Sequence, residues 1–227
     1  MATQTERRAP LSRDQVLHAA MQLVDEGGID SLTMRKLGQA LGVEAMALYN
    51  HVANKDDLLN GIVDLVLGEF ELPSEGEDWE AGVRKLATSA HDALARHPWS
   101  SSLILSSSSV RPARLRYMEA LFRCLREAGF SPEETYHAYH ALDSHILGFT
   151  LWQLGHTMPE DAPRITTKEE LAVFVATVVP GLSLDDYPYL LEHSELHLRE
   201  GSHKEEGEFE FGLRLILDGL KRMRGTA

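Results

Sequence analysis

Residues 32–52 contain two short helical patterns joined by a glycine turn, and this pair constrains the fold more than any other feature of the sequence. Thr33 is a typical N-cap for a first helix over roughly 34–40, and a second short helix is predicted over 44–51. Gly42 supplies the backbone freedom that a tight turn between them requires. Helices joined this closely must cross at a steep angle. The residues predicted to pack or permit this crossing are Leu37, Gly38, Ala40, Leu41, Val43 and Leu48.

The second helix of the pair would project small and polar side chains away from the crossing. An α-helix fits the major groove of B-DNA, where apolar side chains touch thymine methyl groups and polar ones read base edges. We expect Asn50 to read a base edge and Arg35 to pair with a guanine, while neighbouring side chains fix the register on phosphates. The predicted DNA-binding residues are Thr33, Arg35, Ala45, Met46, Ala47, Tyr49, Asn50, His51 and Lys55.

Capped helical patterns precede and follow this pair. Ser12 and Gln15 form a capping box for a first helix, which the two glycines at 27–28 end. Asn54 caps the helix that follows, and aspartates in its first turn favour the positive helix end. The sequence therefore predicts four short helices around the turn. The first and fourth carry the apolar residues Val16, Leu17, Ala20, Leu23, Val24, Leu58, Leu59, Ile62, Val63 and Val66.

Helical periodicity continues to the end of the chain, and alternating strand patterns are nearly absent. We therefore predict an all-α fold: an N-terminal three-helix helix-turn-helix domain and a larger helical domain. The expected boundaries are a flexible N-terminus at 1–11, a DNA-binding domain at 12–58 and a helical body at 59–227. Helices of the body are expected over roughly 78–96, 98–106, 111–128, 132–156, 168–179, 185–200 and 206–224, with a loop at 157–166.

The charge is distributed unevenly along the chain. The formal net charge is -13, which argues against unspecific binding of nucleic acid, because such binding depends on Lys and Arg at phosphates. Residues 1–60 contain six Lys and Arg against eight Asp and Glu, so the strongly acidic part is the body. A DNA-binding surface must then be small and local, and the body must be held away from the phosphates.

The sequence favours a cytoplasmic protein without a membrane partner. Cys124 is the single cysteine, so no internal disulfide can form, and its helical apolar surroundings predict a buried side chain. The first ten residues are polar and do not resemble a signal peptide, and the longest apolar run, 171–184, is too short to span a bilayer.

The residues around the turn are similar to the DNA-binding head of the TetR family of transcriptional regulators. The match covers about 12–60, and it extends weakly into the body through Pro73, Trp79, the segment 128–131 and the ending 209–220. The resemblance implies an all-helical homodimer with a ligand pocket in each body, which releases a near-palindromic operator when a small molecule binds. The matching residues of the head are Ala19, Ala20, Gly28, Leu32, Thr33, Leu37, Leu41, Gly42, Val43, Leu48, Tyr49, Asn50, His51, Val52, Lys55, Asp56, Leu58 and Leu59.

The implied pocket differs from that of family members that bind tetracycline with magnesium. Where those proteins carry polar side chains for the drug and the metal, this chain has Gly68, Leu86 and Leu121. We therefore expect a largely apolar inducer other than tetracycline. Asp143 could orient a ligand, or it could lie at the dimer seam or in solvent, and the other residues could simply be core. The predicted ligand-binding residues are Leu86, Met118, Leu121, Phe122, Tyr139, Leu142, Asp143, Ile146 and Phe149.

Two surfaces are predicted to form the dimer. One is the apolar last helix, and the other is a stripe of mostly small residues along the helix expected at 132–156. Together they would build a four-helix bundle with the partner. The stripe consists of Ala138, Ala141, Ser144, His145, Gly148, Leu151, Trp152 and Gly155.

No catalytic or metal-binding motif accompanies these features. His137 and His140, and likewise His193 and His197, have spacings that zinc accepts, but no third ligand completes either pair, so we predict no metal and no other cofactor. A nucleophile elbow and a glycine-rich phosphate loop are absent from the sequence, which argues against an enzyme. An activator of the same fold, or a helical ligand-binding protein or enzyme with a vestigial head, remains an alternative to a repressor.

Overall fold

The computed structural model describes residues 10–106, 111–155, 165, 167–179, 186–198 and 207–224. These residues form helices and connecting turns, with no strand among them. The chain divides into two compact units, one of Met1–Gly155 with Leu215–Ala227 and one of His156–Arg214. The α-helices are α1 (Arg13–Gly27), α2 (Met34–Leu41), α3 (Ala45–Leu48), α4 (Lys55–Gly68), α5 (Trp79–Arg96), α6 (Pro98–Ser106), α7 (Pro112–Glu127), α8 (Pro132–Gly155), α9 (Lys168–Val178), α10 (Pro188–Leu198) and α11 (Glu208–Arg224).

The ends of the first helices follow the predicted caps. Ser12 forms the capping box with Gln15, and α1 ends where Gly28 adopts a φ of 72°. Thr33 caps α2, and Asn54 caps α4 by accepting from the backbone N–H of Asp57. Because these side chains satisfy amides that a helix leaves unpaired at its N-terminus, they fix where each helix begins.

The third helix is shorter than predicted. It ends at Leu48 instead of His51, since the following backbone tightens into a turn. The N–H groups of Asn50 and His51 bond three residues back, to the carbonyl oxygens of Ala47 and Leu48. The prediction of a helix over 44–51 was therefore wrong in its second half.

The apolar faces of α1–α4 meet in one core. Val16 and Ala20 of α1, Leu37 of α2, Leu48 of α3 and Ile62 of α4 have no exposed surface. Their burial confirms the helical periodicity from which this core was predicted. Residues at the margin of the core are only half-buried, contrary to the expectation of a fully packed face, because the short helices leave it open; these are Leu23, Leu41, Val43 and Leu59.

Helix α4 is also tied to α7 by polar groups. Asp64 Oδ1 accepts from the backbone N–H of Ala113 at 2.9 Å, and the buried guanidinium of Arg111 donates to the carbonyl oxygen of Asn60 at 2.9 Å. Since α7 has no side-chain cap from its own sequence, the carboxylate of Asp64 takes that role. Helix α4 is therefore bonded to the start of α7 by two polar side chains.

The second unit contains α9, α10 and the start of α11. Helix α9 begins at a capping box formed by Thr167 and Glu170, and none of its side chains is buried. Val173 is 68% exposed and Tyr189, on α10, is 84% exposed. The predicted loop at 157–166, apart from residue 165, and the predicted flexible segment at 1–9 lie outside the described residues.

Candidate DNA-binding surface and ligand-binding body

Helix α3 and the turn that follows it present predicted reading side chains at the surface. Met46 is 75% exposed, Tyr49 is 47% exposed, and Asn50 is exposed beside them. Ala45 and Ala47 are half-buried, so they project less than expected, because the short helix lies close against α2. The resulting face is small and mixed in polarity, as a helix that enters the major groove requires.

The close approach of α2 and α3 depends on Gly38. A Cβ atom at this position would lie 2.8 Å from the carbonyl oxygen of Val43 and 3.2 Å from the backbone nitrogen of Ala45. Both are backbone atoms, which cannot rotate away as the end of a side chain can. The structure therefore confirms the expectation that Gly38 permits this crossing, whereas Ala40, which was expected to do the same, is exposed.

The side chains predicted to touch phosphates are exposed or half-buried. Arg35 and Lys55 are exposed, and His51 is half-buried. Thr33 Oγ1 accepts from the backbone N–H of Lys36 at 3.2 Å, which leaves its hydroxyl proton available for an outside acceptor. Contact of these side chains with DNA stays a prediction.

An ion pair that the sequence did not indicate holds the end of the third helix in place. Arg13, on α1, donates to both carboxylate oxygens of Asp57 at 2.7 and 2.9 Å, and also to the carbonyl oxygen of His51 at 2.7 Å. Asp57 in turn accepts from the backbone N–H of Ala53 at 2.9 Å. The hydrogen bonds from Arg13 hold the pKa of Asp57 below its ordinary value. Ser12 and Asn54 marked helix starts nearby, but no local pattern links Arg13 to Asp57.

The residues predicted to bind ligand lie on α5, α7 and α8. Leu86, Leu121, Leu142 and Ile146 are buried in the core of the first unit. Their burial agrees with both interpretations, a pocket wall or simple core. Met118, Phe122 and Phe149 are half-buried.

Asp143 joins a polar cluster between α7 and α8. Its two carboxylate oxygens accept from the hydroxyls of Tyr117, at 3.2 Å, and Tyr139, at 3.4 Å, and Arg114 lies 3.5 Å away. Burial raises the pKa of Asp143 above its ordinary value, which Arg114 partly opposes. Asp143 is thus largely removed from solvent and bonded within the chain. Tyr117 had not been predicted, although its position one turn before the predicted Leu121 places it on the same face.

Two further polar groups lie inside the body. The Oγ atom of Ser101, on α6, is completely buried and has no hydrogen-bond partner among the described residues. An unpaired buried hydroxyl costs free energy. On the other side of α8, Thr150 donates to the carbonyl oxygen of Ile146, and its oxygen lies 3.3 Å from Nδ1 of His91. Burial lowers the pKa of His91 below its ordinary value.

The predicted dimer stripe on α8 is mostly exposed. Ala141, Ser144, Gly148, Trp152 and Gly155 are exposed, and His145 and Leu151 are half-buried. Ala138 is instead buried within the chain, since it lies one turn nearer the packed start of α8. On α11, Phe211 and Leu215 are each about half exposed. The side chain of His197 lies outside the described part, within which no group of three or more metal-binding side chains occurs.

The comparisons with known proteins agree with this architecture. The tetracycline repressor protein class D from Escherichia coli is 38% identical over 154 residues, which cover 66% of this chain and 69% of that protein. The HTH-type transcriptional repressor DrrR1 from Streptomyces coeruleorubidus is 29% identical over 213 residues, covering 93% of this chain and 77% of that protein. A crystal structure of ActR from Streptomyces coelicolor in complex with (S)-DNPA has a TM-score of 0.73 at 26% identity and covers 95% of this chain and 100% of that one.

Two family models match the chain. The model for bacterial regulatory proteins of the tetR family matches residues 16–62, and the model for the tetracyclin repressor-like C-terminal domain matches residues 72–224. The chain therefore belongs to the TetR family of bacterial transcriptional regulators, which confirms the predicted family and fold class. It is a DNA-binding regulator that responds to small-molecule ligands, and dimeric assembly and repression are typical of its relatives. Within the described residues, no helix is long and apolar enough to span a membrane.

Proposed function

We propose that this protein is a homodimeric repressor that leaves its operator when a largely apolar small molecule other than tetracycline binds to the body. It acts in the cytoplasm, where its operator is, and without catalysing a reaction. The observation that carries the DNA-binding half is the exposure of Met46 on α3 and of Tyr49 and Asn50 in the turn that follows it.

The interior of the body supports the choice of ligand. Leu86 and Leu121 are buried, and the family resemblance implies that tetracycline-binding members carry polar groups at these positions. A tetracycline–magnesium complex would then lose its hydrogen bonds here. The unpaired hydroxyl of Ser101 supports a ligand that carries at least one hydrogen-bonding group. The related ActR has been solved with both (S)-DNPA and actinorhodin.

The DNA-binding half can be tested with an operator selected from random duplex DNA. We expect Arg35→Gln and Tyr49→Phe to weaken binding of the selected operator, measured by fluorescence anisotropy at physiological salt. A lost guanine contact corresponds to about 1–3 kcal/mol. The matched control is Arg116→Gln, which removes an exposed positive charge from α7. If both head variants bind like the wild type, the assignment of the reading surface is wrong.

The ligand half can be tested by thermal shift and operator release with defined compounds. We expect (S)-DNPA or actinorhodin to raise the melting temperature and release the operator, and minocycline with MgCl2 to do neither, because a ligand that binds only the folded state stabilises it. Ser101→Ala should weaken the response without lowering the stability of the free protein. Release by minocycline in a magnesium-dependent manner would contradict the proposal. A reporter gene distinguishes repression from activation.

A further inference from the structure

Four residues from separate elements meet where the DNA-binding helices join the body. Asp25 lies in the last turn of α1, Glu69 directly follows α4, His97 joins α5 to α6, and Trp99 lies in the first turn of α6. We call these four residues the junction cluster. His97 is only 8% exposed, and Trp99 is buried beside it.

His97 stands between two carboxylates. Its Nδ1 lies 2.7 Å from Oδ1 of Asp25, and its Nε2 lies 3.2 Å from Oε1 of Glu69. The same Asp25 oxygen accepts from the indole N–H of Trp99 at 2.7 Å, and the second Glu69 oxygen accepts from Arg96 at 2.6 Å. The side chain of His97 therefore connects the end of α1 to the end of α4.

Each ring nitrogen of His97 faces a carboxylate oxygen. Ionised carboxylates can only accept, so a ring nitrogen that carries a proton donates to the carboxylate it faces. Arg96 adds a charged donor on the second Glu69 oxygen. Hydrogen bonds between charged groups are strongly directional. They therefore fix the angle between α1, α4 and α6 more sharply than apolar contacts would.

The charged members of this cluster are a poor means of raising stability. His97 is buried, but the side chains of Asp25, Glu69 and Arg96 are 28%, 29% and 57% exposed, and ion pairs that water reaches contribute little free energy. Polar groups in such places are best known for specifying one arrangement among several. Here the arrangement to be specified is the orientation of the helix-turn-helix relative to the body.

We propose that His97 is a positioning residue that sets the angle of the DNA-binding helices on the body and thereby the half-site spacing that the dimer accepts. The inference rests on the proposed binding of a two-fold operator. In a dimer, each recognition helix reaches its half-site only if the two heads have the right separation and rotation. One inserted base pair moves the second half-site by about 3.4 Å and rotates it, so a rigidly held head would miss it.

The test compares the selected operator with a version that carries one extra central base pair. We expect the wild type to bind the longer operator much more weakly. His97→Gln, which has one side-chain nitrogen and cannot contact both carboxylates as the two ring nitrogens do, should weaken binding to the selected operator roughly 3- to 30-fold, the range seen when residues outside both sites alter coupling. It should also reduce the penalty for the inserted base pair, because a loosened head can follow the displaced half-site.

Asp25→Asn is the second variant, since it keeps nearly the same shape and an acceptor for Trp99 while removing the charge that His97 contacts. The matched control is Lys85→Gln, which breaks an ion pair of 2.8 Å with Glu77 between two residues that do not belong to the junction cluster. We expect Asp25→Asn to behave like His97→Gln, and Lys85→Gln to keep the wild-type affinity and penalty. Melting temperatures establish that each variant is folded at the assay temperature.

Two results would overturn the proposal. If His97→Gln and Asp25→Asn lower the melting temperature but keep the wild-type penalty for the inserted base pair, the cluster is structural only. If both variants match the wild type in affinity and penalty, the cluster does not position the head. A failure of the proposed DNA binding gives a different result, because the wild type would then select no preferred duplex from random DNA. In that case the inference about His97 is wrong as well.

Discussion

The DNA-binding helices and the body hold their functional side chains in opposite ways. In the head, Met46 and Asn50 are exposed, and the helices behind them are fixed by caps and by the Arg13–Asp57 ion pair. In the body, Leu121 and Asp143 lie largely inside, and the polar groups mostly satisfy one another. This difference indicates that the head acts through exposed side chains, whereas the body acts through the packing and hydrogen bonding of its buried side chains. Variants in the two regions should therefore affect different measurements.

The largest effect is expected at Asp143. Asp143→Leu leaves the hydroxyls of Tyr117 and Tyr139 and the guanidinium of Arg114 without their shared acceptor, which should lower the free energy of unfolding by about 3 kcal/mol. Asp143→Asn keeps one acceptor oxygen and should cost less. Urea denaturation measures both, with the exposed Glu119→Gln of α7 as control. If the head and the body act separately, the Asp143→Leu protein that remains folded still binds operator. A loss of operator affinity as large as the loss of stability would contradict this separation.

Gly38→Ala should have the next largest effect, and mainly on DNA binding. The new Cβ would meet the backbone of Val43 and Ala45, so α3 must shift, although alanine itself favours a helix by about 1 kcal/mol. We expect operator affinity to fall about tenfold, which corresponds to about 1.4 kcal/mol. Gly61→Ala is the matched control, because its Cβ would meet the end of the Leu17 side chain instead of backbone. Similar losses in both variants would contradict the role of the crossing.

Arg13→Gln should have a smaller effect that depends on pH. The folded protein holds the pKa of Asp57 below its ordinary 3.8, chiefly through hydrogen bonds from Arg13. This contribution is present above that value and is lost as the pH falls through it toward the lower pKa of the folded state. Because both side chains are partly exposed, we expect about 1 kcal/mol or less at neutral pH. Arg13→Gln should remove this acid-dependent part in melting curves; an unchanged pH profile would show that the ion pair adds nothing.

The smallest effect is expected at His91, and it has a different pH window. Burial lowers the pKa of His91 below its ordinary 6.5, so the unfolded chain binds a proton more readily than the folded one. Stability should therefore fall as the pH drops below about 6.5, and it should level off below the pKa of the folded state. His91→Gln should lose less stability over that range, as measured by thermal melting from pH 7.5 to 5. The Arg13→Gln protein should keep this part of the profile.

Most of the fold could be predicted from the sequence because local signals agree with one another. Ser12, Thr33 and Asn54 each mark a helix start, Gly28 and Gly42 mark ends, and the apolar spacing between them has a helical period. The third helix was the exception. Its last predicted turn, 49–51, carries Tyr, Asn and His, which are weaker helix formers. In the structure the backbone tightens there, and Arg13 donates to the carbonyl oxygen of His51.

The candidate sites were less accessible to prediction, for a physical reason. The reading residues of the head follow one another in the chain, so a local pattern indicates them. The junction cluster joins residues as far apart as Asp25 and Trp99, and the acceptors of Arg13 lie 38 and 44 positions away. Such contacts depend on how helices pack, which the periodicity of each helix does not determine. The same holds for Ser101, whose lack of a partner appears only once α6 is packed.

The cap that Asp64 provides for α7 has a consequence for how the protein can be divided. The two matched family segments, 16–62 and 72–224, leave a gap, and Asp64 lies within it. A fragment that ends at residue 62 lacks Asp64, and a fragment that begins at residue 72 contains the amide of Ala113 without its carboxylate acceptor. The two matched segments by themselves would therefore leave the start of α7 without a side-chain cap. An exchange of heads between relatives should take Asp64 and Ala113 from the same protein.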